Sequence, residues 1–221
     1  MSLANDISKQ YKKRHSKEGL YQESPYVKAV QAEIQLECNE LLKSCFKNLE
    51  TLTLLEIGAG NGTNAYMFES LGIKRSNISF NELLKDRISN IKTNFPSNEI
   101  HEGDAIKVNF GKKYDIIFQS TVFTSILSEE DRIKLAKKMW ELLNPGGVIL
   151  WYDFIYNNPK NADVRKVSAL EVKQLFNEFS FSIIKKVTLA PPIGRKVGKY
   201  YKLFNMELLR SHILAVFQKV R

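Results

Sequence analysis

The chain has 221 residues, 43% of them hydrophobic, and carries 33 Lys and Arg against 24 Asp and Glu. This composition suits a folded domain with a full core and excludes a disordered or fibrous chain. No apolar run reaches the ~20 residues of a membrane-spanning helix, and the first residues lack the apolar stretch of a signal peptide. Cys38 and Cys45 fit no metal or redox spacing, so we expect reduced thiols, no metal site and a cytoplasmic protein.

In chain order, a helical extension is followed by alternating strands and helices. Apolar residues recur every three or four positions over 26–49, which predicts an amphipathic helix. Apolar runs then predict strands at 51–58, 77–82, 98–104, 114–121, 147–154, 181–190 and 212–220. Helices are predicted at 63–70, 83–94, 129–143 and 168–178, and Asn144–Gly147 predicts a stop after the third of them. The order predicts one α/β domain with a largely parallel sheet covered on both faces.

A glycine-rich turn, LLEIGAGNGT, joins the first predicted strand to the next helix. Gly58, Gly60 and Gly62 would let the backbone approach a ligand closely, and the N–H groups of the turn could bind its polar end. A dinucleotide-binding turn would have Gly or Ala where this chain has Thr63. Glu56 would also repel a pyrophosphate, whereas it would favour a ligand with an ammonium group.

This ExGxGxG turn resembles the S-adenosylmethionine-binding motif of class I methyltransferases. Glu82, with Asn81 as the alternate, matches the acidic position that holds the ribose in that family, and Asp104-Ala105 matches the adenine contact. The resemblance covers about residues 52–155. It implies an S-adenosylmethionine cofactor and a Rossmann-like, doubly wound, seven-stranded sheet whose last strand is antiparallel. The cofactor-binding residues that it implies are Glu56, Gly58, Ala59, Gly60, Asn61, Asn81, Glu82, Asp104, Ala105 and Gln119.

A narrower resemblance concerns the acceptor of the methyl group. The segments QSTVFTS (119–125), WYDF with NNP (151–159) and LRSH (209–212) are similar to small methyltransferases encoded among bacterial surface-polysaccharide genes. This similarity implies O-methylation of a sugar, glycolipid or other small anionic acceptor, with Tyr152 and Asn157 as acceptor-binding residues. An N-methyltransferase acting on a small molecule or amino sugar, and a non-catalytic cofactor-binding scaffold, remain alternatives.

The acceptor should lie at the carboxyl ends of the parallel strands. Asp153 ends the fifth strand and, if the last strand is antiparallel, His212 starts that strand on the same side, so each is a candidate base or orienting group. Residues 191–210 would form a cap over the acceptor. The family also has N-terminal segments that fold over the cofactor, which makes His15, Tyr21 and Tyr26 weaker candidates. His101 is predicted to be an ordinary strand residue.

The excess positive charge is concentrated near the C-terminus. Residues 156–221 hold 13 Lys and Arg against 4 Asp and Glu. Such a segment could face an anionic acceptor or the inner face of a membrane, with Arg195 as the best phosphate ligand, or it could be a solvated surface. Nucleic acid is a weak candidate because no recognisable binding module accompanies the charge. We therefore predict an extension or lid at 1–50, a methyltransferase domain at 51–221, and no particular oligomeric state.

Overall fold

The computed structural model describes residues 24–159 and 161–221. His15 and Tyr21, the two weaker candidates near the N-terminus, lie outside the described residues, as does much of the predicted lid. Over the described residues, no helix has both the length and the apolar character that a membrane crossing requires.

A seven-stranded sheet forms the centre of the fold. Its strands are β1 Leu54–Ile57, β2 Ile78–Glu82, β3 Ile100–Glu102, β4 Tyr114–Ser120, β5 Leu143–Phe154, β6 Phe179–Leu189 and β7 Arg210–Lys219. They lie in the order β3-β2-β1-β4-β5-β7-β6. The β7 strand pairs antiparallel with both β5 and β6, while the other pairs are parallel. This topology confirms the predicted sheet with an antiparallel last strand.

Helices cover both faces of the sheet. They are α1 Pro25–Cys45, α2 Asn64–Ser70, α3 Lys85–Asn94, α4 Glu129–Glu141, α5 Ala169–Leu175, α6 Pro191–Val197 and α7 Tyr201–Phe204. Residues of α1, α2 and α3 join one core cluster, and residues of α4 and α5 join the cluster on the opposite face. Side chains along a strand alternate between the two faces of the sheet. Each residue at the end of a strand therefore points either to the side of α1, α2 and α3 or to the side of α4 and α5.

The start of β5 differs from its prediction. The sequence predicts a stop at Asn144–Gly147 and a strand from residue 147, but this segment belongs to β5, which begins at Leu143. Leu143 pairs with Tyr114, and after an irregularity the ladder resumes with Val148 opposite Ile116. Proline and glycine are accommodated because the register is interrupted there.

Local signals explain where the long helices begin. The Ser24 side chain accepts a hydrogen bond from Val27 N–H at the start of α1, with Pro25 in the first turn. The Ser128 side chain does the same for Asp131 N–H at the start of α4. These capping serines satisfy N–H groups that have no partner within the helix. On its inner face, α1 buries Cys38, Leu41 and Leu42 against the sheet.

A cap segment, residues 190–209, connects β6 to β7 and contains α6, α7 and two short 3-10 turns. The carboxyl end of β6 and the amino end of β7 lie at the edge where β5 ends, since Phe154 pairs with His212 and Leu189 with Arg210. The cap therefore stands at the carboxyl edge of the sheet, where ligands bind in folds of this type.

Candidate cofactor and acceptor site

The β1–α2 turn is built on glycines in the left-handed region. Gly58, Gly60 and Gly62 have φ of +63°, +59° and +75°. A Cβ atom on Gly58 would lie 2.6 Å from Val122 Cγ2, and one on Gly62 would lie 3.2 Å from the Phe95 ring. Only glycine fits the turn without strain, and Gly58 lines a cleft at the end of β1.

Glu82 is held at the end of β2 by three backbone donors. Its Oε2 accepts from Gly60 N–H at 2.7 Å, and its Oε1 accepts from Leu83 and Leu84 N–H at 2.8 and 2.9 Å. A carboxylate has about four accepting positions, and the described residues occupy three of them, which leaves one that a ligand hydroxyl could use. The arrangement fixes Glu82 and ties it to the glycine-rich turn.

Glu56 has one buried oxygen that accepts no hydrogen bond from any described residue. Its Oε1 accepts from Asn64 Nδ2 at 2.7 Å, but the buried Oε2 has no partner among the described residues. Burial raises the pKa of Glu56 to about 8. An orphaned buried acceptor is costly in an apolar surrounding, so this atom fits a ligand cation or donor.

A cleft lies between the ends of β1, β2 and β4 at the carboxyl edge of the sheet. Its lining includes the predicted residues Gly58, Asn81, Glu82, Asp104 and Ala105. It also includes Arg87 of α3 and Val122, Ser125 and Ile126 of the loop after β4, which were not predicted as site residues.

Some predicted cofactor residues are used by the protein itself. Asn81 Nδ2 donates to the carbonyls of His101 and Gly103, at 2.9 and 3.1 Å, and so fixes the end of β3. Asn61 accepts from Asn90 of α3 and is exposed. Ala59 N–H donates to the Asn81 carbonyl. The structure thus places these three around the cleft as supports.

Gln119 and Asp153 both support the loop after β4. Gln119 is fully buried, and its Oε1 accepts from Val122 N–H at 3.0 Å. Asp153 is fully buried and accepts from Thr124 N–H at 3.2 Å and from Phe154 N–H at 3.0 Å. Burial raises the pKa of Asp153 to about 7. The two side chains hold a loop whose Val122 and Ser125 line the cleft.

His212 lies at the same edge of the sheet as Asp153 but on the opposite face. In the β5–β7 ladder Asp153 pairs with Ile213, while Phe154 pairs with His212. Ile213 packs on the side of α4 and α5. His212 stacks on Tyr152, which belongs to the core on the α1 side. Strand alternation thus separates the two candidate catalytic side chains, and they do not form a base and orienter pair.

The surroundings of His212 define its protonation. Its Nδ1 lies 3.0 Å from Ser211 Oγ, and Ser211 Oγ lies 3.4 Å from the Thr188 carbonyl, which can only accept. Both contacts are satisfied if Ser211 donates to Thr188 and His212 Nδ1–H donates to Ser211. This pattern assigns the lone pair to Nε2. Burial lowers the pKa of His212 to about 4, so the ring is neutral near pH 7.

The predicted acceptor residues are placed around this edge. The Tyr152 hydroxyl is buried and shares a 3.0 Å hydrogen bond with Thr188 Oγ1. Asn157 is exposed and its Oδ1 accepts from Lys166 N–H. Arg195 is exposed on α6 of the cap. Tyr26, the third weaker candidate, donates to the Leu189 carbonyl beneath the cap and is buried.

Sequence reasoning missed Glu33, which connects α1 to the cap and to the carboxyl end of β6. Its carboxylate accepts from Tyr201 Oη, from Asn205 Nδ2 and from Thr188 N–H. Thr188 has φ of +62°, an unusual conformation for a β-branched residue. Nothing in the sequence distinguishes Glu33 from the other acidic residues of the helix, because its partners are more than 150 positions away.

Comparison with known proteins agrees with this geometry. A family model described as a methyltransferase domain matches residues 54–147, the segment that contains the glycine-rich turn and the cleft. A malonyl-[acyl-carrier protein] O-methyltransferase from Calditerrivibrio nitroreducens is 27% identical over 166 residues. The match covers 75% of this chain, which spans only 62% of the length of that relative.

Solved structures share the fold at low identity. An S-adenosylmethionine-dependent methyltransferase from Clostridium acetobutylicum ATCC 824 has a TM-score of 0.60 at 13% identity, over 86% of this chain and 92% of that one. The CurJ carbon methyltransferase has a TM-score of 0.64 at 15% identity, over 91% of this chain and 57% of that one. The predicted Rossmann-like fold is confirmed. The match of the methyltransferase-domain model to residues 54–147 agrees with the predicted class of enzyme.

Proposed function

We propose that this methyltransferase O-methylates a small anionic acceptor of the sugar or glycolipid class. The observation that carries the proposal is the position of the basic cap at the edge of the sheet where the cofactor cleft opens. Lys196, Lys199 and Lys202 are exposed on the cap, beside Arg195. Cations at this edge would attract and orient an anionic acceptor.

S-adenosylmethionine supplies a methyl group on a sulfonium, which an acceptor oxygen can attack directly. The residues present fit this cofactor. We propose that Glu82 binds the ribose hydroxyls, that Asp104 and Ala105 contact the adenine, and that the orphaned Glu56 oxygen faces the ammonium group. In this assignment the chain's main contribution to the reaction is to position the two reactants.

A hydroxyl acceptor must lose its proton, and we propose that His212 Nε2 receives it. A hydroxyl oxygen becomes strongly acidic as it gains a methyl group, so a weak, neutral base suffices late in the transfer. Asp153 is a poorer choice because it is completely buried and both of its oxygens already accept backbone hydrogen bonds. In this proposal Asp153 acts as a positioning residue.

A carboxylate acceptor is the second candidate, favoured by the similarity to the malonyl-[acyl-carrier protein] O-methyltransferase. A carboxylate is already ionised at neutral pH and needs no base. The two candidates therefore differ in what His212 does. His212→Ala should lower turnover by about 10²–10⁴-fold on a hydroxyl acceptor and by less than tenfold on a carboxylate.

The test is transfer of tritium from methyl-labelled S-adenosylmethionine to a panel of free sugars, nucleotide sugars, extracted glycolipids, small amines and malonyl carrier protein. Treatment of the products with base distinguishes them, because methyl esters release labelled methanol while ethers and N-methyl groups keep the label. Label on a sugar oxygen supports the first candidate, and base-labile label supports the second. Label only on nitrogen, or cofactor binding without transfer to any acceptor, would contradict O-methylation.

A further inference from the structure

The inner side of the cap is anchored firmly to the rest of the protein. Tyr201 is buried; its hydroxyl accepts from Leu189 N–H and donates to Glu33. Asn205 Nδ2 donates to the second Glu33 oxygen at 2.6 Å. On α6, a Cβ atom at Gly194 would lie only 2.1 Å from the Tyr26 ring, so that helix packs directly on α1. The orientation of the cap is therefore fixed by its buried side.

The outer side of the cap carries large apolar side chains that no described residue covers. The cap patch, as we define it, consists of Tyr200, Leu203, Phe204, Met206 and Leu208, together with Lys196, Lys199 and Lys202. Leu203 is 75% exposed and Leu208 is 91% exposed. Exposed apolar clusters of this kind mark surfaces that contact another phase or molecule.

Charge defines the partner that this patch fits. Residues 190–209 contain Arg195 and the three lysines against one acidic residue, Glu207. A second copy of the chain would bring the same positive charges together across a symmetric interface, which disfavours self-association. Apolar side chains interleaved with lysines suit an anionic bilayer, where the former enter the acyl boundary and the latter meet the phosphates.

We propose that the cap patch docks this enzyme on an anionic lipid surface. Lys185 of β6, just before the cap, takes no part, because it pairs with Glu37 and Glu40 of α1 at 2.7 and 2.8 Å. The cap stands at the carboxyl edge of the sheet. Docking there would present the acceptor side of the enzyme to the lipid, a consequence that rests on the proposed function, whereas the docking itself does not.

Vesicle flotation with the full chain tests the proposal without any acceptor. The probes are vesicles of phosphatidylcholine alone and of phosphatidylcholine mixed with phosphatidylglycerol. We expect binding only to the anionic vesicles, and weaker binding as salt is raised. The triple variant Lys196→Gln, Lys199→Gln, Lys202→Gln should lose about fivefold in partitioning per lysine, or on the order of a hundredfold.

Matched variants separate the cap patch from general charge and hydrophobicity. The double variant Leu203→Ser, Leu208→Ser should lose about tenfold or more in partitioning onto anionic vesicles, because it removes two apolar side chains from the bilayer boundary. The control variant Leu36→Ser, Leu170→Ser changes two leucines outside the cap whose side chains are 64% and 67% exposed. It should bind anionic vesicles as the wild type does. The control variant Lys92→Gln, Lys134→Gln, Lys137→Gln removes the same net charge from other surfaces. Its partitioning onto anionic vesicles should fall by less than threefold.

Any of three results would overturn the docking proposal. These outcomes are absent binding to anionic vesicles, equal loss in the cap and control variants, or a dimer in solution that the leucine variant dissociates. Titration of the same preparations with S-adenosylhomocysteine reports the cofactor site independently. Failure of lipid docking is thereby distinguished from failure of the proposed methyltransferase function.

Discussion

The ring of His212 lies parallel to the ring of Tyr152, with the two centroids 5.0 Å apart and the planes inclined by 7°. Phe154 meets the same imidazole edge-on at 6.0 Å. The Tyr152 hydroxyl is in turn held by Thr188, whose N–H is bound by Glu33 of α1. The imidazole is thus oriented by two aromatic neighbours and by a chain of contacts that reaches the N-terminal helix.

The His212 ring should remain uncharged across the neutral range. Burial lowers its pKa to about 4 from an ordinary value of 6.5. The unfolded chain binds more protons between these values, so the stability that His212 contributes is present above pH 6.5 and is lost as pH falls through 4. We expect its Hε1 resonance not to shift between pH 5 and 8. Tyr152→Ala should raise the pKa toward 6.5, whereas Tyr152→Phe should not; a resonance that titrates near pH 6.5 in the wild type contradicts this account.

Asp153→Asn should affect the loop after β4 more than the chemical step. An amide in place of the carboxylate would direct N–H groups at backbone donors, at a cost of about 1–3 kcal/mol of stability. We expect the melting temperature to fall by several degrees, with weaker cofactor binding and a kcat reduced by less than tenfold. A loss of 10² or more in kcat at unchanged cofactor affinity would instead identify Asp153 as the base.

Glu82→Ala should weaken binding of S-adenosylhomocysteine by at least about tenfold. The substitution removes a charged acceptor for ligand hydroxyls and also leaves the N–H groups of Gly60, Leu83 and Leu84 without it. Glu102→Ala, at the end of the neighbouring strand, removes an exposed ion pair with Lys92 and serves as the control. Calorimetric titration measures both, and equal affinities would exclude Glu82 from the cofactor site.

Cofactor binding should release a proton from Glu56. With a pKa of about 8 in the folded chain, this side chain is mostly protonated at pH 7, and a nearby ammonium group would favour its ionised form. Titrations in buffers of different ionisation enthalpy should show release approaching one proton at pH 7, and none in Glu56→Gln. Without cofactor, the stability contributed by protonated Glu56 is present below pH 4.5 and is lost as pH rises through 8. Equal proton release in the variant would show that another group is its source.

Gly58→Ala should disrupt the turn for two separable reasons. The residue has φ of +63°, which costs a non-glycine residue about 1–2 kcal/mol, and the new Cβ would lie 2.6 Å from Val122 Cγ2. We expect cofactor affinity to fall by more than tenfold and to recover in part when Val122→Ala is added. Gly72→Ala, also at positive φ but with no atom within 4 Å of its Cβ, should leave the affinity unchanged.

The backbone geometry of the glycine-rich turn and the position of Glu82 at the end of β2 could be predicted from sequence because their signals are local. The glycines of the β1–α2 turn are recognisable because the turn needs a backbone conformation that favours glycine. Glu82 is recognisable because it is the last residue of a buried strand. The roles of Asn81 and Gln119 could not be predicted in this way, since their side chains bind backbone atoms of other strands. The separation of Asp153 from His212 depends on the β5–β7 register, and that register is set by segments far apart in the chain.

The cap segment leaves and re-enters the sheet at adjacent positions, since Ala190 N–H donates to the Leu209 carbonyl at 2.9 Å. Its two ends are already joined by the antiparallel ladder, so a loop of a different length could replace it without a change in the strand order. The cap, which we propose contacts the acceptor, is thus an insertion separate in sequence from the segments that line the cleft. New acceptor specificities could arise, or be engineered, by exchange of this one insertion.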